Sequence, residues 1–240
     1  MNSDLVRSWS VGGTTANARN FDSTTLWRVE KPDSGVELDT TWRMLQAVGA
    51  APRGMQEGIL RQPNFLSDDD FANLTQIARR IRPSAVPIEG PYGQGRLWTR
   101  FPSFSPAVEL LASEKTASRV SELVGEQVVS AHDEGLELRV YTPGSSMDWH
   151  TDELLYAAPQ YELVLTLWNS SDSRTEWRDA DGRIQGEWTA PRSALLVRAE
   201  SAAHRVTRIT HGERVIVKAV YTPTLARPLT WDDEDLGEYI

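Results

Sequence analysis

The sequence predicts a mainly β protein with packed helices, built as an antiparallel sandwich or barrel. Three observations carry that expectation. Helical periodicity is confined to the first half of the 240 residues. From Val128 onward the apolar period falls to two, the signature of half-buried strands. Those runs are divided by short turn signals such as Thr142-Pro143-Gly144, Asp181-Gly182 and His211-Gly212. Helices first and closely spaced strands after them suit helices covering an antiparallel sheet.

Residues 1–35 are rich in Ser, Thr, Asn and Gly without a clear period, and read as an irregular arm anchored by Trp9 and Trp27. Thr40 to Ala50 is a candidate short helix. A clearer helix spans Asp68 to about Arg82. Ser67 stands at its N-cap, and Asp68, Asp69 and Asp70 face the positive end of the helix dipole. Phe71, Leu74, Ile77 and Ile81 form one apolar stripe, and Pro83 ends the helix. Pro106–Ala112 and Thr116–Val124 make a second helical pair. Leu136 to Tyr141 alternates as a strand broken by Thr142-Pro143-Gly144. Tyr161 to Trp168 is a β-rich run, and Trp177 to Trp188 reads as a hairpin around Asp181-Gly182. Ala194–Ala199, Arg205–Ile209 and Arg214–Tyr221 are further strands. The expected organisation is an extension over 1–60, a core domain over 61–227 and an acidic tail over 228–240.

Composition excludes several classes. With no cysteine there is no disulfide framework, zinc-thiolate site, iron–sulfur cluster or Cys nucleophile. Any transition metal must be held by His and carboxylate. A net charge of −9 argues against a nucleic-acid partner, which needs a basic footprint. The charge is uneven, with −7 over residues 101–160, +2 over 161–227 and −5 in the tail. No apolar run approaches the roughly 18 residues of a membrane span. The first residues lack the apolar stretch of a signal peptide. A cytoplasmic protein with no membrane partner is the expectation.

The pattern that carries chemistry is His150-Thr151-Asp152, then His204, then Arg214. In an extended segment residues i and i+2 share a face, so His150 and Asp152 can present an imidazole and a carboxylate to one ion. His204, from a distant strand, can supply a third ligand. Two His and one carboxylate on one face of an octahedron describe a non-haem Fe(II) facial triad, with three positions open for a chelating co-substrate and O₂. A lone H-x-[DE] match arises by chance about half a time in such a chain. His132-Asp133-Glu134 is indeed a second match. His150 is preferred because it follows a strand and a Pro-Gly turn, precedes His204 by 54 residues, and is followed by Arg214 ten residues after His204.

The stretch from about Asn64 to Pro223 resembles the Fe(II)/2-oxoglutarate-dependent oxygenase superfamily, and most its prolyl-4-hydroxylase-like branch. The resemblance rests on "NFLSDDDFANL", "LRVYTPGSSMDWHTDE" and "APRSALLVRAESAAHRVTRITHGERVIVKAVY". It implies a double-stranded β-helix, or jelly roll, enclosing the metal. It implies that His150, Asp152 and His204 ligate Fe(II) and that Arg214 anchors the distal carboxylate of 2-oxoglutarate. A planar guanidinium suits that bidentate contact. Tyr141, nine residues before His150, matches a family position whose hydroxyl helps hold the co-substrate. Many members outside this branch carry Ser or Thr two residues after the Arg, where this chain has Ile216. A second carboxylate contact is therefore expected from Tyr141 or Thr166.

The implied reaction converts 2-oxoglutarate and O₂ to succinate and CO₂ and oxidises a substrate C–H, by hydroxylation in the first instance. Desaturation, epoxidation, cyclisation or hydroxylation of a protein side chain are alternatives on the same site. Related halogenases place a small residue where Asp152 stands, which argues against halogenation. Candidate substrate contacts are Trp98, Arg96, Trp168 and Arg198, the last needing a partner such as Glu200 or an acidic substrate. A small molecule, an amino acid derivative or secondary metabolite, is the expected substrate. Two other classes stay open: a jelly-roll binding module without turnover, and a zinc hydrolase with Glu153 as its base.

Overall fold

The computed structural model describes residues 8–11, 14–17, 55 and 58–228. The chain divides into a unit over 1–50 and a unit over 51–240. In the first, β1 (Ser8–Val11) and β2 (Thr14–Asn17) pair antiparallel with Val11 opposite Thr14. An irregular arm was expected there. Gly12-Gly13, between two four-residue runs, is the dipeptide a two-residue hairpin loop favours, and is the signal that reading overlooked. The Thr40–Ala50 helix and the acidic tail beyond Pro228 lie outside the described residues.

The second unit contains one curled antiparallel sheet with three α-helices among the described residues. Its strands are β3 (Ile59–Gln62), β4 (Val86–Ile88), β5 (Gly93–Arg100), β6 (Val129–Ser130), β7 (Glu137–His150), β8 (Tyr161–Asn169), β9 (Thr175–Arg178), β10 (Ile184–Glu187), β11 (Ala194–Arg198), β12 (His204–Val206) and β13 (Arg214–Thr222). The main order is β10-β9-β12-β7-β13-β8-β11-β3, with β5 joined to β7 and β4 to β5. β3 pairs with β11, so the domain boundary drawn at residue 60 falls inside a core strand.

The helices are α1 (Asp68–Ile81), α2 (Pro106–Ala112) and α3 (Glu114–Val124). Each begins on a serine whose hydroxyl accepts a backbone N–H: Ser67 from Asp70, Ser105 from Val108, Ser113 from Thr116. The Ser113 cap explains why α3 starts two residues earlier than its apolar pattern suggested. Gly125, left-handed at φ 81°, closes it. Leu74, Ala78, Leu111, Val120 and Val124 pack on Leu138, Val140, Leu163, Leu165, Leu167, Val215 and Val217, forming the main core.

Three departures from regular pleating shape the other face of the sheet. First, Thr142-Pro143-Gly144 does not end β7. Gly144 takes φ 96°, the Ser145 hydroxyl accepts from Thr142 N–H and donates to the Gly95 carbonyl, and the strand continues to His150. The turn residues make a bulge, after which β7 exchanges its β13 partner for β12. Second, His204 stands opposite His150 but Val206 opposite Met147, so β7 carries one extra residue there. That slip puts Met147 and His150 on the same face. Third, Val215 faces Trp168 and Ile216 faces Thr166, leaving Leu167 as the extra residue of β8.

Candidate metal centre and co-substrate pocket

The triad converges. His150 ends β7, His204 begins β12 directly across from it, and Asp152 follows on the segment leaving β7. His150 Nε2 lies 3.8 Å from Asp152 Oδ1, and His204 Nε2 lies 3.8 Å from Asp152 Oδ2. The three ligand atoms lie within 4.8 Å of one another, a spacing that one ion bonded at roughly 2 Å draws together. Both rings are oriented from behind. His150 Nδ1–H donates to the Asp148 carbonyl at 2.8 Å and His204 Nδ1–H to the Ala202 carbonyl at 3.1 Å, so each Nε2 lone pair points to the shared centre.

The segment carrying Asp152 is stapled by Gln160. Its amide accepts from Leu155 N–H and donates to the Glu153 carbonyl, while its own carbonyl accepts from Ala199 N–H. Glu200, left-handed at φ 54°, donates its N–H to the Asp152 carbonyl. Burial, and then the neighbouring His204, lower the pKa of His150, and burial lowers that of His204, which favours the neutral imidazoles a metal needs. Burial raises the pKa of Asp152, and its Oδ2 has no hydrogen-bond partner. An orphaned buried carboxylate oxygen facing two imidazole lone pairs fits a divalent cation.

Beside the triad lies an ion pair between a part-buried lysine and a buried glutamate that sequence reasoning missed. Lys218 Nζ meets Glu162 Oε2 at 2.8 Å across β13 and β8. Burial works against the Lys218 ammonium, but Glu162 and Asp152 outweigh it and hold its pKa above the ordinary lysine value. Burial raises the pKa of Glu162. The alternation Ile216, Lys218 on β13 and Val164, Glu162 on β8 carried the signal, since each charge sits on the face opposite the main core.

Arg214 is 1% exposed and reaches across the barrel, its Nη1 donating to Thr175 Oγ1 at 2.8 Å. Its guanidinium carbon lies 5.8 Å from the ring centre of Tyr141, its cross-strand partner. Burial depresses its pKa, and its Nε has no partner. Thr166 Oγ1, on the same face, is also buried and unpartnered. Tyr141 contributes its ring, while its hydroxyl sits 3.9 Å from Met147 Sδ. Arg96, on β5, stands across from Tyr141 on the other side.

The other expected substrate contacts lie elsewhere. The β8 bulge turns Trp168 with Leu167 toward the helices, where its indole donates to Glu213 at 2.8 Å beneath Arg79. Arg198 shares the face of Leu196, which packs in the main core, and interacts with Tyr161. Trp98 lies between the guanidiniums of Arg100 and Arg139, away from the metal end of β5. His132 is exposed, which leaves His150 as the H-x-[DE] match in a cluster of metal-binding groups. His211 is exposed beside Asp172.

No protein-family model matches the sequence, and no curated protein matches it. Solved structures do. The fold is the jelly roll of the 2-oxoglutarate–Fe(II) oxygenases, prolyl-4-hydroxylases included. A Pseudomonas putida prolyl-4-hydroxylase superposes with TM-score 0.55 at 18% identity, covering 70% of this chain and 94% of that one. SnoN, a non-haem α-ketoglutarate-dependent epimerase from nogalamycin biosynthesis, gives TM-score 0.61 at 14% identity over 79% of this chain and 84% of its own. HygX from Streptomyces hygroscopicus, solved with nickel, 2-oxoglutarate and hygromycin B, gives 0.52 at 12% identity over 79% and 88%. The mainly β, jelly-roll class expected from the sequence is thus the class observed. Among the described residues no helix is long and apolar enough to cross a membrane.

Proposed function

We propose that the protein is an Fe(II)- and 2-oxoglutarate-dependent oxygenase that hydroxylates an unactivated C–H of a small molecule, releasing succinate and CO₂. The observation that carries this reading is the pairing of a ready His–His–Asp triad with a deeply buried arginine that no carboxylate salt-bridges, Glu187 acting on it only from a distance while paired with Arg61. The bound metal would supply activation of O₂ coupled to oxidative decarboxylation of the 2-oxo acid. His150, Asp152 and His204 hold it through Nε2, Oδ and Nε2. Arg214 takes the distal carboxylate of 2-oxoglutarate, the direct salt-bridge partner its buried guanidinium does not have within the chain. Thr166 supplies the second contact that Ile216 cannot. Tyr141 supports the guanidinium with its ring face. The main core and helices close the barrel's other side, which keeps water from Arg214 on that side and strengthens its pairing with a carboxylate. SnoN and HygX, whose structures carry nogalamycin RO and hygromycin B, support a small-molecule substrate, an amino acid derivative or secondary metabolite. Desaturation and cyclisation diverge from hydroxylation only after the substrate hydrogen is removed, and epoxidation would add oxygen across a substrate double bond on the same site.

The test is spectroscopic. Anaerobic protein with Fe(II) and 2-oxoglutarate gives a visible charge-transfer band, and Arg214→Ala abolishes it at the same co-substrate concentration. Absence of the band at saturating 2-oxoglutarate defeats the reading. A substrate screen read by succinate formation then identifies the reaction.

A further inference from the structure

Arg96 is, with Arg214, a buried guanidinium on the interior face of the sheet that no carboxylate salt-bridges among the described residues. It is 8% exposed and stands in a cross-strand row with Tyr141 and Arg214. Its Nη1 meets Met147 Sδ at 3.3 Å, its Nε is buried without a partner, and no carboxylate among the described residues reaches it. A thioether is a weak acceptor and leaves a guanidinium largely uncompensated. A buried, unpaired charge is costly and calls for a counter-ion.

The surrounding chain is shaped to this side chain. The guanidinium lies against the backbone of Gly93 where any Cβ would overlap it, and a Cβ at Gly90 would come within 3.6 Å. Tyr92, between those glycines, stacks on the ring of His150, with centroids 5.5 Å apart and planes inclined by 20°. Its carbonyl accepts the N–H of Asp148 at 2.7 Å. One loop therefore roofs both the guanidinium and a metal ligand. The extra residue of β7 brings Met147, which touches Arg96, onto the face of His150. Tyr92 is itself 42% exposed, so this roof lies at the open edge of the site.

We propose that Arg96 is a recognition residue for a carboxylate carried by the oxidised substrate. The inference rests on the oxygenase reading and adds the substrate's class, an organic acid. 2-Oxoglutarate has two carboxylates, one beside the keto group that chelates the metal and one that Arg214 takes. Arg96, at the open edge and roofed by the Tyr92 loop, is left for a third anionic group. The shape of the guanidinium favours a planar, bidentate carboxylate.

The test loads the full chain with Ni(II), which supports binding without turnover. A panel of small carboxylic acids, amino-acid derivatives among them, is compared with the primary amides of the same acids by ligand-observed NMR, with and without saturating 2-oxoglutarate. Wild type retains acids in preference to amides when 2-oxoglutarate is bound. Arg96→Met weakens the retained acids by at least about thirtyfold, as expected for losing one partner of a buried charge pair. Its affinity for 2-oxoglutarate stays within about twofold, since separate sites are near-additive. A panel in which wild type shows no preference for acids overturns the proposal, whatever the variant does. So does an Arg96→Met protein that loses 2-oxoglutarate itself, which assigns the guanidinium to the co-substrate. Failure of the oxygenase reading shows separately, as wild type that binds no 2-oxoglutarate with metal present.

Discussion

The strands β8 and β13 present two faces that the same sequence builds by opposite rules. Toward the helices they offer Leu163, Leu165, Leu167, Val215 and Val217, all 2% exposed or less and packed in one cluster. Toward the barrel interior they offer Thr166, Glu162, Arg214 and Lys218. On the helix side the sheet itself contributes only packed apolar side chains, and the unpartnered polar atoms there, Thr75 Oγ1 and Arg82 Nε, belong to α1 and its end. The interior side leaves Asp152 Oδ2, Thr166 Oγ1, Arg214 Nε and Arg96 Nε buried without partners. The first face stabilises the fold, and the second spends stability to hold polar groups ready for ligands.

Substituting the interior tests this division most sharply. Asp152→Ala is expected to abolish metal binding and lower turnover by on the order of a thousandfold or more, because even partners behind a ligand are worth about 10–100-fold. Its metal-free unfolding free energy should stay within about 1 kcal/mol of wild type or rise, since burial penalises the carboxylate more than Lys218 and His150 favour it. Metal content and urea denaturation check both halves. A large loss of metal-free stability would mean that Asp152 belongs to the structural face.

Pairing, rather than the face alone, decides cost. Lys218 and Glu162 sit in the interior yet satisfy each other at 2.8 Å. Glu162→Leu leaves the part-buried ammonium without its partner and should destabilise by about 1–3 kcal/mol. Glu162→Leu combined with Lys218→Met should recover most of that loss, a coupling that a double-mutant cycle measures. On the other face, Leu165→Ala, at a fully buried site, should cost about 2–5 kcal/mol through lost burial and a cavity. Its folded fraction should bind metal and 2-oxoglutarate as wild type does, which calorimetric titration below the unfolding transition checks.

The same contrast explains what could be read from the sequence. The helix-facing side was legible because burial imposes a period: Phe71, Leu74, Ile77 and Ile81 marked α1, and the alternation from Leu136 marked β7. The triad was legible because ligand spacing is chemical, with His150 and Asp152 two apart and Arg214 ten residues after His204. What stayed hidden depended on bulges. A two-residue period cannot show that Leu167 is an extra residue, or therefore that Trp168, a candidate substrate contact, turns toward the helices. Nor can it show that β7 slips between Met147 and His150, or that Thr142-Pro143-Gly144 bends a strand without ending it. Lys218–Glu162 was hidden because a pair 56 residues apart in sequence needs the register before its two charges can be seen to meet.

The smallest effect gives the finest comparison. Thr166 pairs across the sheet with Ile216, and its hydroxyl is buried with no acceptor or donor. Leu165, its neighbour, pairs with Val217 on the packed side. Thr166→Val keeps the shape of the side chain and removes only the hydroxyl. Without ligand, that change relieves an unsatisfied polar group and should stabilise the fold by up to about 1 kcal/mol. With 2-oxoglutarate, it removes one hydrogen bond to a carboxylate and should weaken co-substrate binding by about 1.5–3 kcal/mol, on the order of ten- to a hundredfold. Opposite signs for stability and affinity at a single methyl-for-hydroxyl exchange are what a face held ready for a ligand requires. If both fall together, the hydroxyl is part of the packing and the second carboxylate contact comes from another residue.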